Sequence, residues 1–151
     1  MLIFLNTLTN KTMRAEKNFL PGSYLRDSIT GRLLIVTSTS VTHNRGRVTG
    51  YEIQVDLINN TPNEQPIRPQ SIKLEPGIFR MLGCRARDLT DALYLNGPTP
   101  LSSMAFIPTF PGVYAVHIQT PEGIKIERVQ YVDEVQSLYY FFFKTPLNFV
   151  E

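Results

Sequence analysis

Tryptophan is absent from the 151 residues, and cysteine occurs once, at Cys84. A lone thiol excludes an internal disulfide and a cysteine-rich zinc site; it fits a reducing compartment. Charge of either sign is scarce. Fifteen Lys and Arg against thirteen Asp and Glu leave a formal net charge of +2, without the clustered excess typical of nucleic-acid binders. No run approaches the roughly 20 apolar residues needed to span a bilayer. The apolar start Met1–Leu5 is too short for a signal-peptide core and leads into Asn6 and Thr7 rather than a cleavage site. The expected location is therefore the cytoplasm. A phosphate-binding glycine loop is also missing, because Gly46 and Gly50 lack both the strand-to-helix setting and a Lys-Ser/Thr pair. The two histidines, His43 and His117, have no Asp, Cys or Ser at motif spacing. Catalysis, a metal and a cofactor are accordingly not expected.

What is present is enough to fold. Hydrophobic residues make up 42% of the chain and charged residues 19%, a globular composition. Nine Phe and seven Tyr supply bulk, and eleven Pro with nine Gly supply turns. Residues 1–18 read as an N-terminal tail, with Met13 as an alternative start and residues 1–12 dispensable. Residues 19–151 read as one α+β domain, in which 19–73 form a small β subdomain and 74–151 hold a helix, an antiparallel sheet and a C-terminal helix.

In the first part, Ser23–Asp27 is a short strand, Ser28–Gly31 a turn and Arg32–Val41 a long β-branched strand, followed by a polar loop over Thr42–Arg47. Tyr51–Leu57 alternates without error, so Tyr51, Ile53, Val55 and Leu57 face a core. Asn59–Asn63 is a turn cluster. Ile67–Ile72 is interrupted by Pro69, which suits an edge strand. Short strands with tight turns predict an SH3-like β-barrel or a curled antiparallel sheet, with an open meander as the plainer alternative.

In the second part, Pro76 suits a first helical position and Gly83 a stop, with Ile78, Phe79 and Leu82 on one face. Leu93–Leu95, Met104–Pro108, Tyr114–Gln119 and Ile124–Val129 read as strands, with Thr120–Gly123 as a hairpin turn. The alternation slips at Glu127–Arg128, which predicts a bulge or the strand's end there. A final helix is expected from Asp133, capped by Asp133 with Gln136, with Val135, Leu138, Tyr139 and Phe142 as its core stripe. Pro146 ends it.

Two segments carry a family resemblance. Leu74-Glu75-Pro76-Gly77-Ile78-Phe79-Arg80-Met81-Leu82-Gly83-Cys84 is similar to a motif of the form L-T-P-E-I-L-E-K-N-G-F. Tyr131-Val132-Asp133-Glu134-Val135-Gln136-Ser137-Leu138-Tyr139 is similar to Y-V-H-Q-L-Q-N-L-Y. Both occur, in that order, in a family of small uncharacterised proteins of Bacteroidetes phages and prophages, which often open with a leader resembling Met13–Gly22. The chain departs from that pattern at Glu75, Gly77, Cys84 and Asp133. The last replaces the family's His, so no role of that His carries over. The resemblance implies a phage-type accessory protein without known chemistry.

Two sets of residues are candidate sites. Arg45 and Arg47 share one loop with His43, and Arg85 and Arg87 share another; with Tyr24 and Tyr51 as stacking platforms they form a nucleic-acid candidate. The plainer reading is scattered surface arginines. Tyr140, Phe141 and Phe143 widen the final helix beyond a normal core stripe, which suggests a protein interface, a homodimer among the options. The plainer reading is a core helix laid on the second sheet. Cys84 reads as a packing residue, and Asp88 with Asp91 as a solvated loop. The favoured function is binding of a partner protein without catalysis. A nucleic-acid-binding module and a virion-associated or ligand-sequestering protein are the alternatives.

Overall fold

Turn chemistry and strict alternation build the first sheet. The computed structural model describes residues 11–15, 17–57, 67–86 and 92–150. Strands β1 (Lys11–Ala15), β2 (Tyr24–Asp27), β3 (Leu33–Asn44), β4 (Arg47–Leu57) and β5 (Pro69–Ser71) pair antiparallel in the order β1-β4-β3-β2-β5. Ile53, Val55 and Leu57 are buried as the period of two requires, and they meet Leu25, Leu34, Val36 and Phe19 in one cluster. The register of β3 on β4 shifts between Val36 and Ser38 and again between Thr42 and His43. Each extra residue bends the strand and increases its twist, and the sheet is a curled, half-barrel sheet rather than a flat one. Pro69 sits on edge strand β5, where no described strand needs its missing N–H.

Two readings of this part are corrected. Lys11–Ala15 lies inside the stretch read as a tail, yet it pairs along β4 from Lys11↔Val55 to Ala15↔Tyr51. Met13 and Ala15 pack against the buried cluster; two small contacts in five residues give too weak a periodicity to read. The polar loop at Thr42–Arg47 is also shorter than expected. Strand pairing continues to Asn44↔Arg47, and Arg45 (φ 53°) and Gly46 (φ 77°) alone make the turn. Two consecutive left-handed residues match the twist of the flanking strands. The turn cluster at Asn59–Asn63 lies outside the described residues.

The chain divides between Ile72 and Lys73 into two compact units. The second begins with helix α1 (Pro76–Met81), which has Pro at its start and Gly83 at φ 87° beyond its end. Strands β6 (Arg85–Ala86), β7 (Leu93–Asn96), β8 (Ser103–Phe110), β9 (Val113–Thr120) and β10 (Gly123–Val129) form an antiparallel meander in the order β10-β9-β8-β7-β6. Helix α2 (Val132–Phe143) follows and lies against β9. Leu95, Met104, Phe106, Val116 and Ile118 are buried with Ile78 and Phe79 of α1, Leu82 just beyond it, and Val132, Val135 and Tyr139 of α2. The Phe79 ring lies 5.0 Å from Phe106 and 4.8 Å, edge-on, from Tyr114. Burying a phenylalanine this fully contributes about 2–3 kcal/mol.

No bulge interrupts β10. Its register on β9 runs unbroken from Gly123↔Thr120 to Val129↔Tyr114. The alternation slips because β10 buries neither face: residues 123–128 are all exposed, so nothing selects for a period of two.

Candidate functional site

Helix α2 is held at both ends by local chemistry. The Glu134 carboxylate reaches back to accept hydrogen bonds from the amides of Gln130 (3.0 Å) and Tyr131 (3.1 Å). The helix thus starts at Val132, after Tyr131, and not with an Asp133 cap. An acid in the first turn also suits the helix dipole. Gln136 is no capping partner either: it is buried, and its Nε2 donates to the Leu147 carbonyl at 3.0 Å, fastening the segment beyond the helix. At the other end Lys144 adopts the left-handed conformation (φ 56°), and its amide donates to the Tyr140 carbonyl at 2.9 Å.

This rotates the stripe. Val132, Val135, Gln136, Tyr139 and Phe143 are buried at spacings of three and four, whereas Leu138 and Phe142 are half-buried. Phe143, grouped by sequence with the interface aromatics, is 9% exposed and packs edge-on to Tyr139 at 4.8 Å; it belongs to the core. Tyr139 Oη donates to the Asn96 carbonyl at 3.3 Å, and burial pushes its pKa up. Tyr140 and Phe141 remain outside, 53% and 64% exposed. Lys144 Nζ stands 5.0 Å from the Phe141 ring centroid, and Phe142 meets that ring edge-on at 5.0 Å. Two exposed aromatic rings beside a cation, on a helix fixed at both ends, form a rigid amphipathic patch of the composition that anchors protein interfaces.

The basic candidates are distributed differently. Arg45 and Arg47 are exposed at the β3–β4 turn of the first unit, and Arg85 is exposed on β6 of the second; Arg87 lies outside the described residues. Tyr24 is buried at 8% exposure and offers no stacking face. Tyr51 is half-buried and lines a groove of about 900 Å³ with Arg14 and His43. Arg14 went unnoticed in sequence because its strand did. It stands opposite Glu52 in the β1–β4 register, which offsets its charge.

The remaining chemistry is quiet. Cys84 is buried, and burial pushes its thiol up to about 12, leaving a neutral packing residue at ordinary pH. Asp88 and Asp91 lie outside the described residues. Among the described residues, no three His, Cys, Asp or Glu gather as a metal site would require, and no helix is long and apolar enough to cross a membrane. His117 lies half-buried on β9 between Ala105 and Ile126 in the cross-strand registers. With Tyr94, Ser103 and Gln119 it lines a groove of about 880 Å³ in the second unit. Sequence alternation gave no sign that Tyr94, two strands away, shares the row of His117.

Comparisons with protein-family models, with curated proteins and with solved structures returned no match to this chain.

Proposed function

We propose that this chain is a non-catalytic accessory protein of the phage or prophage type, acting in the bacterial cytoplasm by binding a partner protein through the Tyr140–Phe141 turn of α2. The observation that supports this is the contrast within one helix: six positions are buried, the ends are fastened by Glu134 and by the Lys144 amide, and yet two adjacent large aromatics face water. A rigid helix presents such rings at little entropic cost, and desolvating them drives association. The first unit, read more finely than a curled sheet, is SH3-like in this view. It serves as a second scaffold.

The test compares wild type with Tyr140→Ser/Phe141→Ser as bait in lysate of host cells. Both side chains are exposed, so the double variant keeps its fold by circular dichroism. It should lose specific partner proteins by about 30-fold, the loss expected when hot-spot aromatics are removed. Retention of the same proteins by the variant would move the site elsewhere.

The groove that joins Tyr51, Arg14 and His43 near the exposed Arg45 and Arg47 favours a second reading, a nucleic-acid surface. Salt-sensitive retention of RNA or DNA by wild type, lost in Arg45→Asn/Arg47→Thr, would support it.

A further inference from the structure

Strand β10 ends its sheet: β9 is its neighbour on one side, and no described strand lies on the other. Residues 123–128 are exposed without exception, including Ile124 at 63% and Ile126 at 64%. A seven-residue edge without a bulge or an internal proline is a template for another strand. The opposite edge, β6, is two residues long and offers no comparable template. We propose that β10 pairs antiparallel with β10 of a second copy of this chain, joining two five-stranded sheets into one. This goes beyond partner binding at α2 and is independent of it.

The backbone is set for this pairing. β9 and β10 are joined by two residues, Pro121 and Glu122, with Thr120 opposite Gly123. The pair flanking a two-residue hairpin is hydrogen-bonded, and bonded and non-bonded pairs alternate from there. Gly123, Lys125, Glu127 and Val129 therefore spend their N–H and C=O groups on β9. Those of Ile124, Ile126 and Arg128 point to the free edge. A two-fold axis at Ile126 brings Ile126 against its own copy and Ile124 against Arg128 in the hydrogen-bonded positions, three pairs and six backbone hydrogen bonds.

The side chains select that register. With the axis at Ile126, Lys125 faces Glu127 of the other copy, twice, in the non-bonded positions where side chains come closest. Ile126 meets Ile126 on the opposite face of the sheet. A slip by two residues in one direction puts Lys125 on Lys125, and in the other Glu127 on Glu127; both are penalised. Odd shifts reverse the faces. Charges on an edge strand normally repel other strands. Here the order Lys-Ile-Glu makes the strand complementary to itself.

The test is sedimentation equilibrium of the full chain across about 1 µM to 1 mM, a range suited to the weak association of a small interface. Wild type should show a monomer–dimer equilibrium. Lys125→Glu and Glu127→Lys, each alone, should weaken it about tenfold or more, because each replaces two attractive pairs with two repulsive ones. The charge-swapped double variant should restore it to within about threefold of wild type, which also excludes misfolding as the cause. Tyr140→Ser/Phe141→Ser should leave the dimer unchanged. A wild type that stays monomeric throughout would overturn the proposal. So would a dimer indifferent to the single swaps, or one lost in the α2 variant; the last would place self-association on the aromatic turn.

Discussion

A carboxylate with no exposure to water must find its partners within the protein, and Asp27 finds them on two sides. Its oxygens accept from the Thr30 hydroxyl at 2.6 Å, the Ile29 amide at 3.2 Å and the Arg68 amide at 3.0 Å. Burial alone raises its pKa; these hydrogen bonds, with one from the Thr30 backbone, outweigh that and hold the group below its ordinary 3.8. A folded-state pKa below the unfolded one stabilises above the unfolded value and is lost as pH falls through the folded one. Denaturant titrations should therefore show stability declining below about pH 4 in wild type. Asp27→Asn should be weaker at neutral pH and lack that part of the acid decline. The Ser28–Gly31 turn was legible in the sequence, but the Arg68 contact spans 41 residues and no local pattern announces it. Gly97 makes the same point sterically. Its amide donates to the Ser102 carbonyl, and a Cβ there would come within 2.7 Å of Ser102 Cβ and 2.9 Å of that carbonyl oxygen. Ser102 cannot yield, because its hydroxyl donates to the Thr99 carbonyl and accepts from the Thr99 amide and hydroxyl. Gly97→Ala should cost about 1–3 kcal/mol in chemical denaturation.

Elements were legible where one face is buried and obscure where it is not. β4 and the face formed by Ile78 and Phe79 of α1 with Leu82 at its end follow their periods because a core lies on one side. β10 breaks its period for the opposite reason. The β3–β4 turn was read as a loop because Arg45 is an unusual occupant of a left-handed position, where Asn or Gly is preferred. Arg45→Asn should accordingly raise stability, by up to about 1 kcal/mol, while removing the charge at the tip; a Tm that falls would show that the arginine side chain makes a contact of its own. Asn is also the suitable replacement for testing nucleic-acid binding there, because alanine would add backbone strain to the loss of charge. In α2 the sequence placed the helix to within two residues. Its rotation was settled by Gln136 and Phe143 turning inward, through the Leu147 carbonyl and the Tyr139 ring.

At the scale of the whole molecule, each of the two units is built on one five-stranded antiparallel sheet. The mild net charge of +2 leaves no broad field to attract polyanions, so the recognition proposed above rests on local patches: the Tyr140–Phe141 turn and the β10 edge. Chain order and local chemistry alone determined the mixed strand-and-helix composition, the inward residues of β4, the turns at Ser28–Gly31 and Thr120–Gly123, and Pro69 on an edge strand. Each of these depends on neighbours within a few positions, or on the simple presence of a core. Tertiary structure decided that β1 belongs to a sheet, that Phe143 is inside while Tyr140 and Phe141 are outside, and that β10 stands at a border with no described strand on its outward side. Those outcomes depend on which distant strand lies alongside. Alternation records that a side chain is buried, but not what buries it, nor which edge is left without a neighbour.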